Sequence, residues 1–381
     1  METICALIRG DLAPAGNRIS LQNTTELIAY PLSGYFATWV DSGTSALAIA
    51  LADIKAKAPL VKNPKVIIPG YCCPDLVAAA VYAGLKPLVV DIDIDDAGYD
   101  LAALKDAIDE DVAAIIAVNF LGVSERLADI RAIISSTNIK LVEDNAQWFP
   151  EKESADFLSD YVVFSFGRGK PLSLLGGGVV FSKIDIVVAE LIGGPALPTL
   201  FGSAKQRIKF FAYNLLLRPH LYCFLNRFPF FRLGETKYHA LMRISAMDDF
   251  RKALFAVNSE LYVGRGKATE QAYDESSRIS KIQRLTSLST ERRKKLLRYP
   301  LLCADSHCRD KVLSKLSALG LGASPLYQRV ISEIPDVDGL IEIHGKLNNA
   351  SSFAGRLITL PTHENVLPKH LRRINRAFEG D

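Results

Sequence analysis

With 381 residues, 49% of them hydrophobic and 23% charged, the chain has the composition of an ordinary globular protein and the length for about two domains. Collagen-like, fibrous and intrinsically disordered classes are excluded. Its 45 basic and 42 acidic residues leave a formal charge of +3, too balanced for a molecule-wide nucleic-acid surface, so a small or polar partner is expected and nucleic acid is not.

The first residues, METICALIRGDLAP, carry Glu2, Arg9 and Asp11 and contain no long apolar run, so no signal peptide is expected. From residue 40 to 185, short β-branched runs alternate with helical patterns, the signature of a parallel sheet covered by helices. Candidate buried strands are Lys65–Pro69, Pro87–Asp91, Ala113–Val118, Lys140–Asp144, Tyr161–Ser165 and Gly178–Phe181. Ala46–Lys57, Leu76–Ala83, Leu101–Ile108 and Ser124–Ser135 have the apolar spacing of helices with one buried face. The last two strands flank a glycine-rich segment too short for a crossover helix, which predicts antiparallel pairing.

Ile208–Leu233 is rich in Phe, Leu and Tyr but is interrupted by Lys209, Arg218, Pro219, Arg227 and Arg232. Those charges exclude a membrane span and leave a buried or interfacial helix pair, with peripheral membrane contact through 208–233 as the alternative. The charged run Thr290–Lys295 reads as a solvated helix face. From Arg298 onward a smaller α+β unit is expected, with strand Tyr299–Cys303, helix Arg309–Leu319, strand Leu357–Pro361 and a final helix. Six cysteines stand at 5, 72, 73, 223, 303 and 308; the adjacent pair can neither close an ordinary disulfide nor match a metal-site spacing. A reducing, cytoplasmic setting without a metal centre is expected.

In an open parallel sheet ligands gather at the carboxyl ends of the strands, and four sets of residues lie there. Asp41-Ser42-Gly43-Thr44-Ser45 opens a helix whose free amides could hold a phosphate, or could form an ordinary cap. Asp144 ends an apolar strand, where a carboxylate needs a cationic partner such as a protonated pyridine nitrogen, unless it merely caps the next turn. Phe164 to Lys170, followed by Leu175-Gly176-Gly177-Gly178, ends a strand in a loop carrying a lysine, a residue able to attack a carbonyl cofactor. Gly70-Tyr71-Cys72-Cys73-Pro74 forms a turn that could set an aromatic or sulfur side chain against a ligand ring.

The motifs together resemble the DegT/DnrJ/StrS family of pyridoxal-phosphate-dependent nucleotide-sugar aminotransferases. The resemblance runs in order through Ser42-Gly43-Thr44-Ser45-Ala46-Leu47, the strand ending in Tyr82-Ala83-Gly84, Val90-Asp91-Ile92-Asp93, Glu143-Asp144-Asn145-Ala146-Gln147 and Phe164 through Lys170. It implies an α/β fold type I PLP-transferase, with a large, mostly parallel-sheet domain and N-terminal arm over 1–252 and a small α+β domain over 253–381. It implies that Lys170 carries the cofactor covalently and that Asp144 pairs with the pyridine nitrogen. Gln147 would lie near the ring hydroxyl, and Gly43, Thr44 and Ser165 would bind the phosphate.

The implied reaction moves an amino group, with glutamate as the expected donor, onto a keto-sugar, and the implied assembly is a homodimer. Dehydratases of the family replace the lysine, usually by histidine, and Lys170 argues against that branch. The chain also departs from the family pattern. Cys73 stands where an aromatic residue usually stacks on the cofactor, with Tyr71 as the other candidate for that role. Gly167 stands where a histidine often follows the strand, Leu175 opens the glycine run, and Ile244 replaces an expected asparagine. These changes motivate one alternative, a non-catalytic or regulatory protein on the same fold.

Overall fold

The computed structural model describes residues 10–22, 34–58, 62–151, 157–194, 202–227, 236–276, 279 and 282–378. Glu2, Arg9, Cys5 and the Phe230–Leu233 end of the aromatic stretch lie outside the described residues.

Through residue 182 the elements are β1 (Phe36–Val40), α1 (Gly43–Lys57), β2 (Lys65–Pro69), α2 (Asp75–Ala83), β3 (Lys86–Val90), α3 (Leu101–Asp106), β4 (Val112–Val118), α4 (Leu127–Ile133), β5 (Lys140–Asp144), β6 (Tyr161–Ser165) and β7 (Gly178–Ser182). The order of predicted strands and helices is reproduced. β1 is an addition, an edge strand whose sequence Phe-Ala-Thr-Trp-Val is half exposed and lacks the continuous apolar run of a covered strand. β2 to β6 run parallel, and β7 turns back antiparallel to β6, as the short connection requires.

Beyond residue 182 follow β8 (Ile192–Gly193), α5 (Gly202–Leu216), α6 (Pro219–Arg227), β9 (Ile244–Ser245), α7 (Asp249–Gly264), α8 (Ala268–Asp274), β10 (Gln283–Arg284), β11 (Arg298–Leu302), α9 (Ser306–Ala318), β12 (Glu342–Ile343), α10 (Asn348–Arg356), β13 (Leu357–Pro361) and α11 (Pro368–Ala377). α5 and α6 are the expected helix pair, broken at Pro219, which is tolerated at a first helical turn but not in a helix interior. Among the described residues no helix is long and apolar enough to cross a membrane. The eight-stranded sheet has the order β1-β7-β6-β5-β4-β2-β3-β12, and a three-stranded sheet has the order β10-β11-β13.

Packing crosses the division expected at 252/253. β12 pairs parallel with the β3 edge, and Ile331, Ile334 and Val337 bury themselves in the core under α1 and α2. In turn Tyr71, Phe120 and Leu121 enter the core built around Leu301, Phe353 and Ile374.

The run Thr290–Lys295 is a correction. It forms no helix; Arg292 pairs with Asp96 at 2.7 Å, Arg293 with Asp274 at 2.9 Å, and Lys295 is buried with its amine donating to the Tyr262 carbonyl at 2.8 Å. The charges are consumed as ties between distant segments because their partners converge from other elements.

Candidate active site

β5 and β6 are parallel neighbours, so their carboxyl ends deliver Asp144 and Ser165 to one edge of the sheet. Asp144 is 6% exposed, and its Oδ1 accepts the Ala146 amide at 2.8 Å. Burial holds its carboxyl above the usual carboxylate range, while the Ala146 amide and the charge of Lys170 act the other way. The field of Lys170 is therefore felt at Asp144: the turn after β6 carries the lysine back to the strand end, where its amide donates to the Gly167 carbonyl at 3.3 Å.

The next strand over, β7, closes the phosphate-like cradle. Ser42 caps α1, its Oγ accepting the Ser45 amide at 3.0 Å, and Ser45 Oγ donates to Asp41 at 2.6 Å. These bonds leave the amides of Gly43 and Thr44 in the first helical turn, where a helix has no acceptor of its own. A Cβ on Gly43 would come within 2.5 Å of Ser165 Cβ and 2.7 Å of its Oγ, so only glycine lets the serine of β6 sit on the helix start. The strap Leu175-Gly176-Gly177 runs through left-handed backbone, and the Gly177 amide donates to the Asp41 carbonyl at 2.7 Å, pinning the turn from the other side.

Gln147 faces the same cleft but both ends of its amide are engaged. Its Oε1 accepts the Leu121 amide at 2.7 Å and its Nε2 donates to Tyr327 Oη at 2.8 Å. Tyr327 is the residue that sequence reasoning missed. Its phenol lies in the field of Cys73 and Asp144, and burial first and those groups second keep its proton on well above the ordinary tyrosine range. A turn signal at Ser324-Pro325 was the one available hint; an aromatic just past it is common in structural loops.

Tyr71 does not supply a stacking ring. It is 1% exposed, its hydroxyl donates to the Tyr327 carbonyl at 2.8 Å, and its ring is edge-on to Phe120 and Phe353. Cys73 remains beside Lys170 and Asp75. Burial pushes its thiol up to about 12, so it is a neutral, compact wall. Ile244 is buried in β9 and pairs with β8, away from any polar role.

A phosphate-bearing pyridine aldehyde fits this set. A close-packed glycine cradle with two first-turn amides suits the phosphate, a buried carboxylate suits a ring cation, and the amine of Lys170 lies in that carboxylate's field. Among the described residues no group of three His, Cys, Asp or Glu side chains could hold a metal ion.

Comparison with known proteins yields a match of residues 22–193 and 260–379 to the DegT/DnrJ/EryC1/StrS aminotransferase family. A GDP-4-keto-6-deoxy-D-mannose 3-dehydratase of Escherichia coli O55:H7 is 33% identical over 114 residues, 29% of each chain. A UDP-2-acetamido-2-deoxy-3-oxo-D-glucuronate aminotransferase of Pseudomonas aeruginosa is 33% identical over 149 residues, covering 38% of this chain and 40% of that one. The chain thus spans well under half the length of these curated relatives. Among solved structures, Helicobacter pylori PseC, an aminotransferase involved in the biosynthesis of pseudoaminic acid, superposes with a TM-score of 0.69 at 19% identity over 97% of this chain and 98% of its own. The architecture is accordingly the α/β fold of pyridoxal-phosphate sugar aminotransferases, as expected from the motifs.

Proposed function

The chain belongs to the DegT/DnrJ/EryC1/StrS aminotransferase family, and from that membership we propose that it is a pyridoxal-phosphate enzyme passing an amino group, from glutamate or a similar donor, to a nucleotide-linked keto-sugar in polysaccharide or glycoconjugate biosynthesis. The observation that carries this reading is the meeting of Asp144, Lys170 and the Gly43 turn at one sheet edge. Lys170 also favours amino transfer over dehydration, since dehydratases of the family usually replace that residue.

When bound, pyridoxal phosphate supplies an electron sink for exchange of the amino group. Lys170 Nζ would hold the cofactor, and its amine is the group placed to carry a proton to and from the reacting carbon. Asp144 stabilises positive charge on the ring nitrogen in a site where burial excludes water. The amides of Gly43 and Thr44 with Ser165 Oγ would bind the phosphate, and Gln147, tied to Tyr327, would lie near the ring hydroxyl.

A homodimer and a cytoplasmic setting belong to the same reading. The thiols of Cys72, Cys73, Cys303 and Cys308 support the second. Light scattering of the purified protein tests the dimer. The main test is an absorbance spectrum with added pyridoxal phosphate, followed by borohydride reduction, peptide mapping and transfer of labelled nitrogen from glutamate to keto-sugars. Label fixed at Lys170 and lost in Lys170→Ala supports the assignment; cofactor bound elsewhere, or not at all, overturns it.

A further inference from the structure

The family match stops at residue 193 and resumes at 260, so α5 and α6 lie in a stretch that it leaves out. Charge is distributed unevenly there. The chain has 42 acidic residues, yet the 44 positions from Leu191 to Gly234 hold none, against six basic ones at 205, 207, 209, 218, 227 and 232. A helix pair that merely faces water usually interleaves both signs.

α5 is apolar on two sides. Phe210 and Leu217 are buried, and the Phe210 ring packs edge-on to Phe250 of α7 at 5.5 Å. On the other side Ile208 and Phe211 are 68% and 63% exposed, and with Ala204 and the half-buried Leu215 they make one stripe at the three- and four-residue spacing of a helix face. Exposed Lys205 and Arg207 flank the stripe, one on each side. Around the turn into α6, Leu216, Arg218 and Leu221 are exposed as well. No carboxylate of α5 or α6 answers these charges, and on α7 Asp248 and Asp249 are taken by Arg251 and Lys252.

The outer face of an ordinary surface helix is polar, and this one is not. A second copy docking about a two-fold axis would bring the same acid-free surface against itself, setting like charges together. A polynucleotide would answer the charges and leave Ile208 and Phe211 without a partner. We propose that the outer face of α5 docks on an anionic phospholipid bilayer, with Ile208 and Phe211 entering the boundary of the acyl chains and Lys205, Arg207, Lys209 and Arg218 at the level of the lipid phosphates. Both halves of the pattern, a narrow apolar stripe and a basic border, belong to helices that lie in the plane of a membrane surface. Among the described residues no helix is long enough and apolar enough to span, so the attachment is peripheral.

Full-length protein loaded with pyridoxal phosphate is sedimented with vesicles of phosphatidylcholine alone, and of phosphatidylcholine and phosphatidylglycerol in equal parts. Binding is expected only to the anionic vesicles, and to fall roughly tenfold or more when salt is raised from about 0.1 to 0.5 M. Phe211→Ser, and separately Lys205→Gln with Arg207→Gln, are each expected to weaken it roughly tenfold. Leu158→Ser and Lys140→Gln, exposed changes elsewhere, are expected to leave it unchanged. Borohydride fixation at Lys170, read on each variant, separates a folding defect from a docking one. No sedimentation with anionic vesicles, equal affinity for both vesicles, or the same loss in the two control variants overturns the proposal. So does retention of a polynucleotide without vesicle binding. A fall in particle mass on Phe211→Ser with vesicle binding intact also overturns it and gives the face to a second copy. Vesicle binding without label at Lys170 in the wild type overturns the aminotransferase reading and leaves the docking face standing.

Discussion

The cleft at the end of the sheet has two walls, held in different ways. The wall bearing Asp144, Ser165 and Lys170 is made of strand ends, so its geometry follows from the register of β5, β6 and β7. The facing wall comes from the arm, α5 and the loop carrying Tyr327, which are tied by single backbone and side-chain bonds between residues far apart in the chain. Displacing a strand end would require shifting a ladder of backbone bonds; displacing the facing wall requires breaking single contacts of about 1 kcal/mol each. The first wall is therefore the stiffer of the two, the better place to hold the proposed chemistry.

Substitutions on the strand-end wall should have the largest effects. Lys170→Ala is expected to lower turnover by about a thousandfold or more and to abolish borohydride fixation of the cofactor. Asp144→Asn keeps the shape but removes the charge facing the ring, and a loss of about a hundredfold in turnover is expected with the cofactor still bound. A turnover loss as great from Tyr327→Phe as from Asp144→Asn would break the contrast between the walls.

The facing wall is expected to respond through stability. His363, 3% exposed, bonds to the Ala13 carbonyl through Nε2 at 2.8 Å and accepts the Asn365 amide at Nδ1. Burial lowers its pKa to about 4. The unfolded chain binds a proton from about pH 6.5 downward while the folded chain refuses it, so this contribution is full above pH 6.5 and is lost as pH falls toward 4, by up to about 3 kcal/mol. Denaturant melts across that window should show the slope, and His363→Gln should flatten it. Gly43→Ala, which drives a methyl group into Ser165, is expected to cost about 1–3 kcal/mol and to weaken cofactor binding; Ser165→Gly in the same chain should recover part of the stability. Smallest is Tyr327→Phe, whose lost bond from Gln147 should cost about 1 kcal/mol in thermal melts and reduce turnover only severalfold.

The strand-end wall was legible in the sequence because covered parallel strands are continuous apolar runs, and the residues after each run must stand at the ligand edge. Asp144, Lys170 and the Gly43 turn stood at that edge as candidates, and the family resemblance is what chose among them. The facing wall was not legible. Thr290–Lys295 has the composition of a solvated helix, and nothing local reveals that Asp96, Glu270 and Asp274 wait for its arginines. Tyr71 and Tyr327 are similarly ambiguous: a tyrosine beside a turn serves a ligand or a core equally well, and only the convergence of two distant segments decides. β1 escaped notice because an edge strand need not be apolar.

The pairing of β12 with β3 also bears on how the chain is made. Glu342 lies opposite Leu88, so the β3 edge has no final partner until residues 342 and 343 have left the ribosome. At ordinary translation speeds that interval is roughly 10 to 50 s, far longer than local helix and hairpin formation. Through it the nascent sheet carries an open, hydrogen-bonding border of the kind that recruits other strands. Slower synthesis between residues 90 and 340 should therefore raise the demand for chaperones, and a stop before residue 342 should convert an orderly folding intermediate into an aggregating one.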